Sequence, residues 1–272
     1  MESDILNVAF LTTRHEYKSG ILRRSAERYL DRRPSSLKNK FKLIFLLDCG
    51  DIEDYYELND LKDSEFVDSV TIWSAMLSEE DNVYTKEVTL WKFEEFGCPW
   101  LGLSMGPNLL FFKAMAFLRT LSEKHTLLLE TDSHPTKENW FDRCFRYAKN
   151  NEFLIAGSTY KGKTRIPKDA EWKDHLNGIA IFRHCNDLKN LLADAKMDIV
   201  RRINSGKCFQ WNYDVAIHSA YKATKWQSRT ENSLRCINID FITNMSMETD
   251  RKISDFEVLR RSPKTVIVHK KE

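Results

Sequence analysis

Five short runs of large apolar residues constrain the fold of this chain more than any other feature. Each run is almost continuously apolar and ends at a glycine or a polar side chain. A strand that is apolar on both faces has to be covered on both faces, which is typical of the parallel sheets of α/β proteins. The five predicted strands lie at 8–11, 42–47, 126–129, 153–156 and 179–182.

Segments with helical periodicity alternate with these runs. Apolar residues recur at helical spacing in 20–31, 108–122 and 139–149. This alternation predicts an α/β fold with a mostly parallel, Rossmann-like central sheet flanked by helices. No repeat, low-complexity segment or linker divides the sequence, so we expect residues 1–272 to form a single domain.

The charge balance and the apolar run lengths limit the classes of partner. The 272 residues carry 42 basic and 40 acidic side chains, a formal net charge of +2. The net charge of the whole protein therefore does not favour binding to nucleic acid. No apolar run reaches the roughly 18 residues of a transmembrane segment, and the polar start is unlike a secretory signal. None of the six cysteines forms a Cys-x-x-Cys pair. We therefore expect a cytoplasmic protein with free thiols.

Two acidic residues follow directly after the third run. Glu130 and Asp132 are separated by one residue, so an extended backbone would put both side chains on one face. Ligands of open α/β sheets bind beyond the carboxyl ends of the strands. Two carboxylates there repel each other unless a proton or a cation lies between them, and Mg²⁺ or Mn²⁺ takes oxygen ligands. The alternative is a simple turn, which Asp132 and Ser133 before Pro135 would suit.

A basic segment with two glycines follows the fourth run. Residues 157–168 contain four lysines and arginines, which favours a surface loop. Lys161, Lys163 and Arg165 then belong either to a solvated loop or to a flap that closes over a diphosphate.

The order of the motifs resembles the GT-A fold glycosyltransferases. Scattered motifs extend from Val8 to His269, and within the family the sequence is similar to small cytosolic glycosyltransferases of large algal viruses, which would place it in the host cytoplasm. The motifs that carry the resemblance are, in order, a strand, Glu130-Thr131-Asp132, Pro135, Trp140, the segment 153–158 and His175-Leu176-Asn177-Gly178.

The resemblance implies a metal-dependent enzyme that moves a sugar from a nucleoside-diphosphate sugar, expected to be a UDP-sugar, to a hydroxyl of a glycan or glycoprotein. The family holds Mn²⁺ or Mg²⁺ with an Asp-x-Asp or Glu-x-Asp motif, here Glu130 and Asp132. Many members add a histidine near the C-terminus, here His269 after a strand-like apolar run. Residues 1–135 would bind the nucleotide sugar, and residues 136–272 would bind the acceptor.

The resemblance also implies further donor-binding residues, at the ends of the first strands, along a neighbouring helix and in later segments. Turn or helix-start chemistry explains several of them equally well, and a charged tail explains the C-terminal ones. The residues are Thr12, Thr13, Arg14, Asp48, Asn108, Lys113, Thr131, His175, Asn177, Gly178 and Lys270.

Asp214 is the first candidate for a catalytic base, and Asp174 is the second. Asp214 stands at the start of an apolar helix, where inverting GT-A enzymes carry the carboxylate that deprotonates the acceptor hydroxyl. The alternative is a first-turn acid that stabilises its helix. We expect inversion of configuration, and retention stays open if Asp214 is not the base.

Three other functions fit parts of the same pattern. A nucleotidyltransferase also uses paired carboxylates and a metal, but it needs a glycine-rich first loop, and residues 12–20 are poor in glycine. A glycoside hydrolase could use Glu130 and Asp132 as acid and base. A non-catalytic carbohydrate-binding protein would need neither metal nor nucleotide.

Overall fold

The computed structural model describes residues 6–32, 39–83, 100–161, 174–206, 210–223, 235–245 and 253–270. The strands are β1 Leu6–Thr12, β2 Phe41–Leu47, β3 Val67–Ser74, β4 His125–Glu130, β5 Ser133–Pro135, β6 Ile155–Gly157, β7 Ala180–Arg183, β8 Cys236–Asn238, β9 Ile242–Asn244 and β10 Ile267–His269. The helices are α1 Arg14–Lys18, α2 Ile21–Asp31, α3 Met105–Leu118, α4 Trp140–Asn150, α5 Asn186–Asn204, α6 Tyr213–Lys222 and α7 Asp255–Arg261. Two 3-10 helices cover Ile52–Asp63 and Gly102–Ser104.

The central sheet has seven strands in the order β3-β2-β1-β4-β7-β6-β8. Strands β3, β2, β1 and β4 are mutually parallel, β7 is antiparallel to both β4 and β6, and β6 is parallel to β8. All five strands predicted from the apolar runs are present, with bounds shifted by one or two residues. The mostly parallel α/β sheet flanked by helices is therefore confirmed.

Helices cover the sheet on both faces, which explains the continuously apolar runs. Successive side chains of a strand point to opposite faces, so Phe10 packs in one core cluster and Ala9 in the other. The first cluster takes its helical residues from α2, from α4 and from the 3-10 helix Ile52–Asp63, including Leu22, Trp140 and Tyr55. The second takes them from α3, α5 and α6, including Phe111.

The helix predicted to start at Asn108 starts at Met105 instead. Pro107 thereby falls in its first turn, where the missing N–H of proline costs no helical hydrogen bond. Asn108 is consequently a buried residue within the helix rather than its first residue.

A second, three-stranded sheet joins the C-terminal part of the chain to the end of β4. Its order is β5-β10-β9, with β10 antiparallel to β5 and parallel to β9. In this register His269 lies opposite Ser133. A residue far along the sequence is thus placed beside the acidic motif.

No helix of the described part of the chain is long and apolar enough to cross a lipid bilayer. Cys49, Cys144, Cys185 and Cys236 are free thiols, as expected. Cys98 and Cys208 lie outside the described residues.

Two partly buried histidines stand at the edge of the sheet where β4 begins and β7 ends. Burial, together with the charges of Arg183 and Lys124, lowers the pKa of His125 to about 4. Burial likewise lowers the pKa of His184 to about 4, with smaller contributions from His125 and Arg119. His184 Nε2 lies 2.7 Å from Thr126 Oγ1. Both imidazoles are therefore neutral in the folded protein at neutral pH.

We expect these histidines to make the fold less stable as the pH falls from about 6.5 to about 4. The unfolded chain takes up the two protons near the ordinary histidine pKa of 6.5, whereas the folded chain takes them up only near 4. The free energy of unfolding therefore falls with pH across this window, and the contribution is fully present only above it. Thermal unfolding midpoints recorded from pH 4 to pH 7 measure the slope.

The matched control is His15→Gln, because His15 is exposed on α1. His184→Gln should flatten the slope, and His15→Gln should keep it. An unchanged slope in His184→Gln would show that carboxylates, and not this histidine, cause the pH dependence.

Candidate metal centre and the adjoining cavities

Three potential metal ligands converge at the carboxyl end of β4. His269 Nε2 lies 2.9 Å from Asp132 Oδ1 and 3.2 Å from Glu130 Oε2. One ligand atom from each residue lies within 4.8 Å of the others. The His269 side chain is 4% exposed, whereas those of Glu130 and Asp132 are 30% and 41% exposed. The cluster therefore has a buried base and a side open to solvent.

The backbone of β10 places the imidazole, and Asn177 orients it. The Lys270 N–H donates to the Asp132 carbonyl at 3.3 Å, which extends the pairing of β10 with β5 into the acidic turn. His269 Nδ1 lies 2.9 Å from Asn177 Oδ1. An Nδ1–H that donates to this oxygen leaves Nε2 directed at the carboxylates and able to bind a metal.

A turn, and not an extended strand, brings the carboxylates of Glu130 and Asp132 to the same side. Strand β4 ends at Glu130, and Thr131 and Asp132 form the turn that leads into β5. The two carboxylates therefore lie on the same side, as expected, because both approach His269. The backbone between them is a turn and is not extended.

The charges in the cluster shift the pKa values of their neighbours. Burial raises the pKa of Glu130 to about 7, against the lowering effect of His269. Burial alone would lower the pKa of His269, but its hydrogen bond to Asp132 and the charges of Glu130, Asp132 and Asp214 together raise it. The raised pKa favours the protonated form of His269, whose positive charge offsets the two carboxylates, and binding of a divalent cation would displace that proton.

The donor set suits a divalent cation with open positions. Two carboxylates are typical ligands of Mg²⁺ and Mn²⁺, and an imidazole ligand favours Mn²⁺ of the two. Three protein ligands leave the remaining positions for water or for phosphate oxygens.

A cavity of about 760 Å³ adjoins the cluster, a size that suits a small-molecule ligand. Several residues that the sequence analysis singled out surround it, together with His15, Glu16 and Asn82, which that analysis missed. The predicted residues that line this cavity are Thr12, Thr13, Arg14, Asp48, Glu130, Thr131 and Asp132.

The Asp48 carboxylate forms hydrogen bonds to three other residues that line the larger cavity. Its Oδ1 accepts from the N–H groups of Arg14 and Cys49 at 2.7 and 2.8 Å. Its Oδ2 accepts from Asn82 Nδ2 at 2.9 Å. Both oxygens are thus engaged with the chain, so Asp48 shapes the cavity by fixing its surroundings.

Glu16 ties the end of β1 to the acidic motif. Its Oε2 accepts from Thr12 Oγ1 at 3.1 Å and from the Thr13 N–H at 2.9 Å. Its Oε1 accepts from the hydroxyl of Thr131, the residue between the two candidate ligands. The sequence signal for Glu16 is the capping box Thr13-x-x-Glu16 of α1.

A smaller cavity of about 30 Å³ lies where the acceptor side was expected. It has room for about one or two water molecules. Its lining includes Asn177, Gly178 and Asp214. His175 Nε2 lies 3.2 Å from Asp214 Oδ2, so the first candidate base is paired with a buried histidine. Asp174, the second candidate, is exposed in the preceding turn.

Three of the predicted donor-binding residues direct a nitrogen of the side chain elsewhere. Asn108 Nδ2 donates to the Trp211 carbonyl at 2.9 Å, and Lys113 Nζ donates to the Ala75 carbonyl at 2.9 Å. Lys270 Nζ lies 2.7 Å from Asp255 Oδ1. Side chains alternate along a strand, so the residue after His269 projects away from the site that His269 faces.

Of the three basic residues predicted to form a flap, only Lys161 lies among the described residues. The Lys161 N–H donates to the Asn244 carbonyl at 2.9 Å, and burial lowers the pKa of the Lys161 side chain. Lys163 and Arg165 lie outside the described residues.

The fold is similar to the folds of several solved glycosyltransferase structures. Mouse xyloside xylosyltransferase 1 in its apo form matches with a TM-score of 0.55 and 11% identity, over 97% of this chain and 97% of that chain. An active-site mutant of LgtC matches with a TM-score of 0.54 and 10% identity, over 98% of this chain and 88% of that chain. The WbbM bifunctional glycosyltransferase in its apo form matches with a TM-score of 0.51 and 10% identity, over 97% of this chain and 45% of that chain.

At these identities the likeness establishes the GT-A type fold and nothing finer. The chain matches no protein-family model, and a search of curated proteins by sequence found no match. The similarity to algal-virus enzymes stays a prediction.

We expect the purified protein to bind Mn²⁺ and Asp132→Asn and His269→Ala to lose that binding. Removing a direct ligand should raise the Kd by more than the roughly 10- to 100-fold that loss of an outer hydrogen-bond partner causes. Isothermal titration with MnCl₂ measures the Kd, and circular dichroism checks that the variants are folded.

Asp68→Asn is the matched control, because Asp68 is an exposed carboxylate on β3. It should bind Mn²⁺ as the wild type does. Wild-type protein that binds no Mn²⁺, or equal affinity in folded Asp132→Asn, would rule out this metal centre.

Proposed function

We propose that this chain is a metal-dependent glycosyltransferase that moves a sugar from a UDP-sugar to a hydroxyl of a glycan or glycoprotein. The observation that carries the proposal is the convergence of Glu130, Asp132 and His269 beside a cavity of about 760 Å³. This cluster lies at the carboxyl end of a central strand, where α/β sheets bind their ligands.

The third candidate ligand favours this function over a glycoside hydrolase that would use the same carboxylates. Glu130 and Asp132 both approach His269 Nε2, an arrangement that forms a ligand set rather than an isolated acid and base. When bound, a divalent cation neutralises the charge that develops on the leaving diphosphate.

Arg14 is the residue best placed to contact a donor phosphate. It lines the larger cavity, and its buried Nε has no hydrogen-bond partner among the described residues. Its Nη2 pairs with Asp54 at 2.8 Å, and both side chains are more than 40% exposed. An exposed ion pair contributes little stability. Exchanging the Asp54 carboxylate for a phosphate as the partner of Arg14 would therefore cost little free energy. Thr12 and Thr13 line the same cavity.

The division of the chain at about residue 135 is consistent with where the two cavities lie. Every residue that lines the larger cavity falls within 11–132 except Tyr213. The residues that line the smaller cavity fall within 155–236. The first half would therefore hold the nucleotide sugar. The smaller cavity, at about 30 Å³, is too small for a sugar, so the acceptor would bind on the surface of the second half near Asp214.

Asp214 is the proposed base. Its Oδ2 is paired with His175, and its Oδ1 accepts from the Val215 N–H at 2.8 Å, so the carboxylate has a defined orientation at the start of α6. It would take the proton from the acceptor hydroxyl. The hydroxyl oxygen then bonds to the anomeric carbon as the bond to the diphosphate oxygen breaks. One displacement of this kind inverts the anomeric configuration.

The remaining predicted residues keep secondary roles in the proposal. Lys161, Lys163 and Arg165 would close over the diphosphate and exclude water. His175, Asn177 and Gly178 would border the transferred sugar. A cytoplasmic location, where nucleotide sugars are available, stays a prediction.

We expect a UDP-sugar to stabilise the protein only when Mn²⁺ or Mg²⁺ is present. A ligand that binds only the folded state raises the Tm by mass action, and the diphosphate needs the cation to offset the charges of Glu130 and Asp132. Thermal unfolding in a panel of UDP- and GDP-sugars, with the cation or with EDTA, measures the effect. Stabilisation by free glycans alone would overturn the transferase proposal in favour of a carbohydrate-binding protein or a hydrolase.

We expect Asp214→Asn to lower kcat by about 10²- to 10⁴-fold, the usual contribution of a general base. The KM for the donor should change little, because Asp214 faces the acceptor side. Release of UDP in the presence of acceptor measures the rate, and Asp68→Asn is the control. A larger loss in Asp174→Asn would move the base to that residue. Retention of the anomeric configuration in the product, read by NMR, would exclude Asp214 as the base of a single displacement.

A further inference from the structure

Tyr213 stands between the candidate metal centre and the acceptor side. It is the first residue of α6 and is 7% exposed. It lines both cavities. The next residue, Asp214, is paired with His175, so two consecutive residues of one helical turn serve the two sides of the site.

The Tyr213 hydroxyl engages one oxygen of Glu130 and leaves the other for the cation. Tyr213 Oη donates to Glu130 Oε1 at 3.2 Å. Glu130 Oε2 faces His269 Nε2 at 3.2 Å. The two carboxylate oxygens therefore have different contacts, and without the tyrosine hydroxyl only the contact with His269 would orient the carboxylate.

The ring of Tyr213 is itself held in place. It stacks on Phe111 of α3 with the ring centroids 3.8 Å apart and the planes 7° from parallel. Gly178 lies against the hydroxyl, and a Cβ at this position would overlap Tyr213 Oη and lie 2.8 Å from Glu130 Oε1. A side chain at this position would therefore force the Tyr213 hydroxyl or the Glu130 carboxylate to move.

We propose that Tyr213 is a positioning residue, whose hydroxyl fixes Glu130 so that one oxygen of the carboxylate faces the cation, with Gly178 providing the space. The inference rests on the metal-dependent function proposed above. It assigns to Gly178 a role in metal binding in addition to any contact with the sugar, and it links the start of α6 to the donor side of the site.

The test is Tyr213→Phe, which keeps the stacked ring and removes only the hydroxyl. We expect the Kd for Mn²⁺ to rise by about 10-fold, the lower end of the usual effect of losing an outer hydrogen-bond partner. Transfer assays should show a higher KM for the donor that excess Mn²⁺ lowers again. A merely structural role would lower the Tm and leave the Kd for Mn²⁺ unchanged.

Tyr147→Phe is the matched control, because it removes a tyrosine hydroxyl from α4, where the ring packs against Phe153 and Phe241. Its Kd for Mn²⁺ should equal that of the wild type. A Tyr213→Phe protein with wild-type Kd would overturn the inference while leaving the metal centre intact. A wild-type protein that binds no Mn²⁺ would instead overturn the proposed function.

A double-mutant cycle with Gly178→Ala tests the part assigned to Gly178. The added methyl group should displace the hydroxyl and weaken Mn²⁺ binding in the wild-type background. Its effect should be smaller, though not zero, in the Tyr213→Phe background, because the collision with the hydroxyl is removed while the 2.8 Å approach to Glu130 Oε1 remains. Additive effects of the two substitutions on the Kd would contradict the inference.

Discussion

The antiparallel pairing of β10 with β5 is the interaction on which the candidate site depends. It sets His269 opposite Ser133 and continues as the hydrogen bond from the Lys270 N–H to the Asp132 carbonyl. The imidazole is thereby buried within reach of two carboxylates, which together raise its pKa. A buried charged imidazole, and two neighbouring carboxylates at the carboxyl end of β4, are each costly alone. Together they form a cluster that either a proton or a divalent cation can balance.

Two members of this cluster, and the residue between its two carboxylates, each have a hydrogen-bond partner from a different part of the chain. Asn177 orients His269, Tyr213 engages Glu130, and Glu16 holds the Thr131 hydroxyl between the two carboxylates. Partners of this kind fix the ligands before a cation or substrate arrives, so less ordering is needed on binding. The two ends of the sequence and its middle are therefore all required for one small site.

The fold and the site contribute different parts of the functional argument. The chain superposes on glycosyltransferases at 10–11% identity, so the common feature is the arrangement of strands and helices. A fold of this type accommodates unrelated chemistries. The proposal of glycosyl transfer therefore depends on the cluster, on the larger cavity and on the Nε of Arg14, which has no hydrogen-bond partner within the described part of the chain. Together these features suit a charged diphosphate ligand.

The sequence by itself determined the central strands, the helices between them and the position of the acidic motif. Apolar runs and helical spacing depend on neighbouring residues, so β1, β2 and β4 could be predicted nearly to their ends. The small sheet could be predicted only in part: the apolar run before His269 indicated β10, but β5 and β9 have three residues each and show too little periodicity to be identified as its partners. Only the tertiary structure brought Glu16, Asn177 and Tyr213 to the cluster and turned Lys270 away from it. Pairing between distant strands is decided by packing and register, which residue spacing along the chain does not encode.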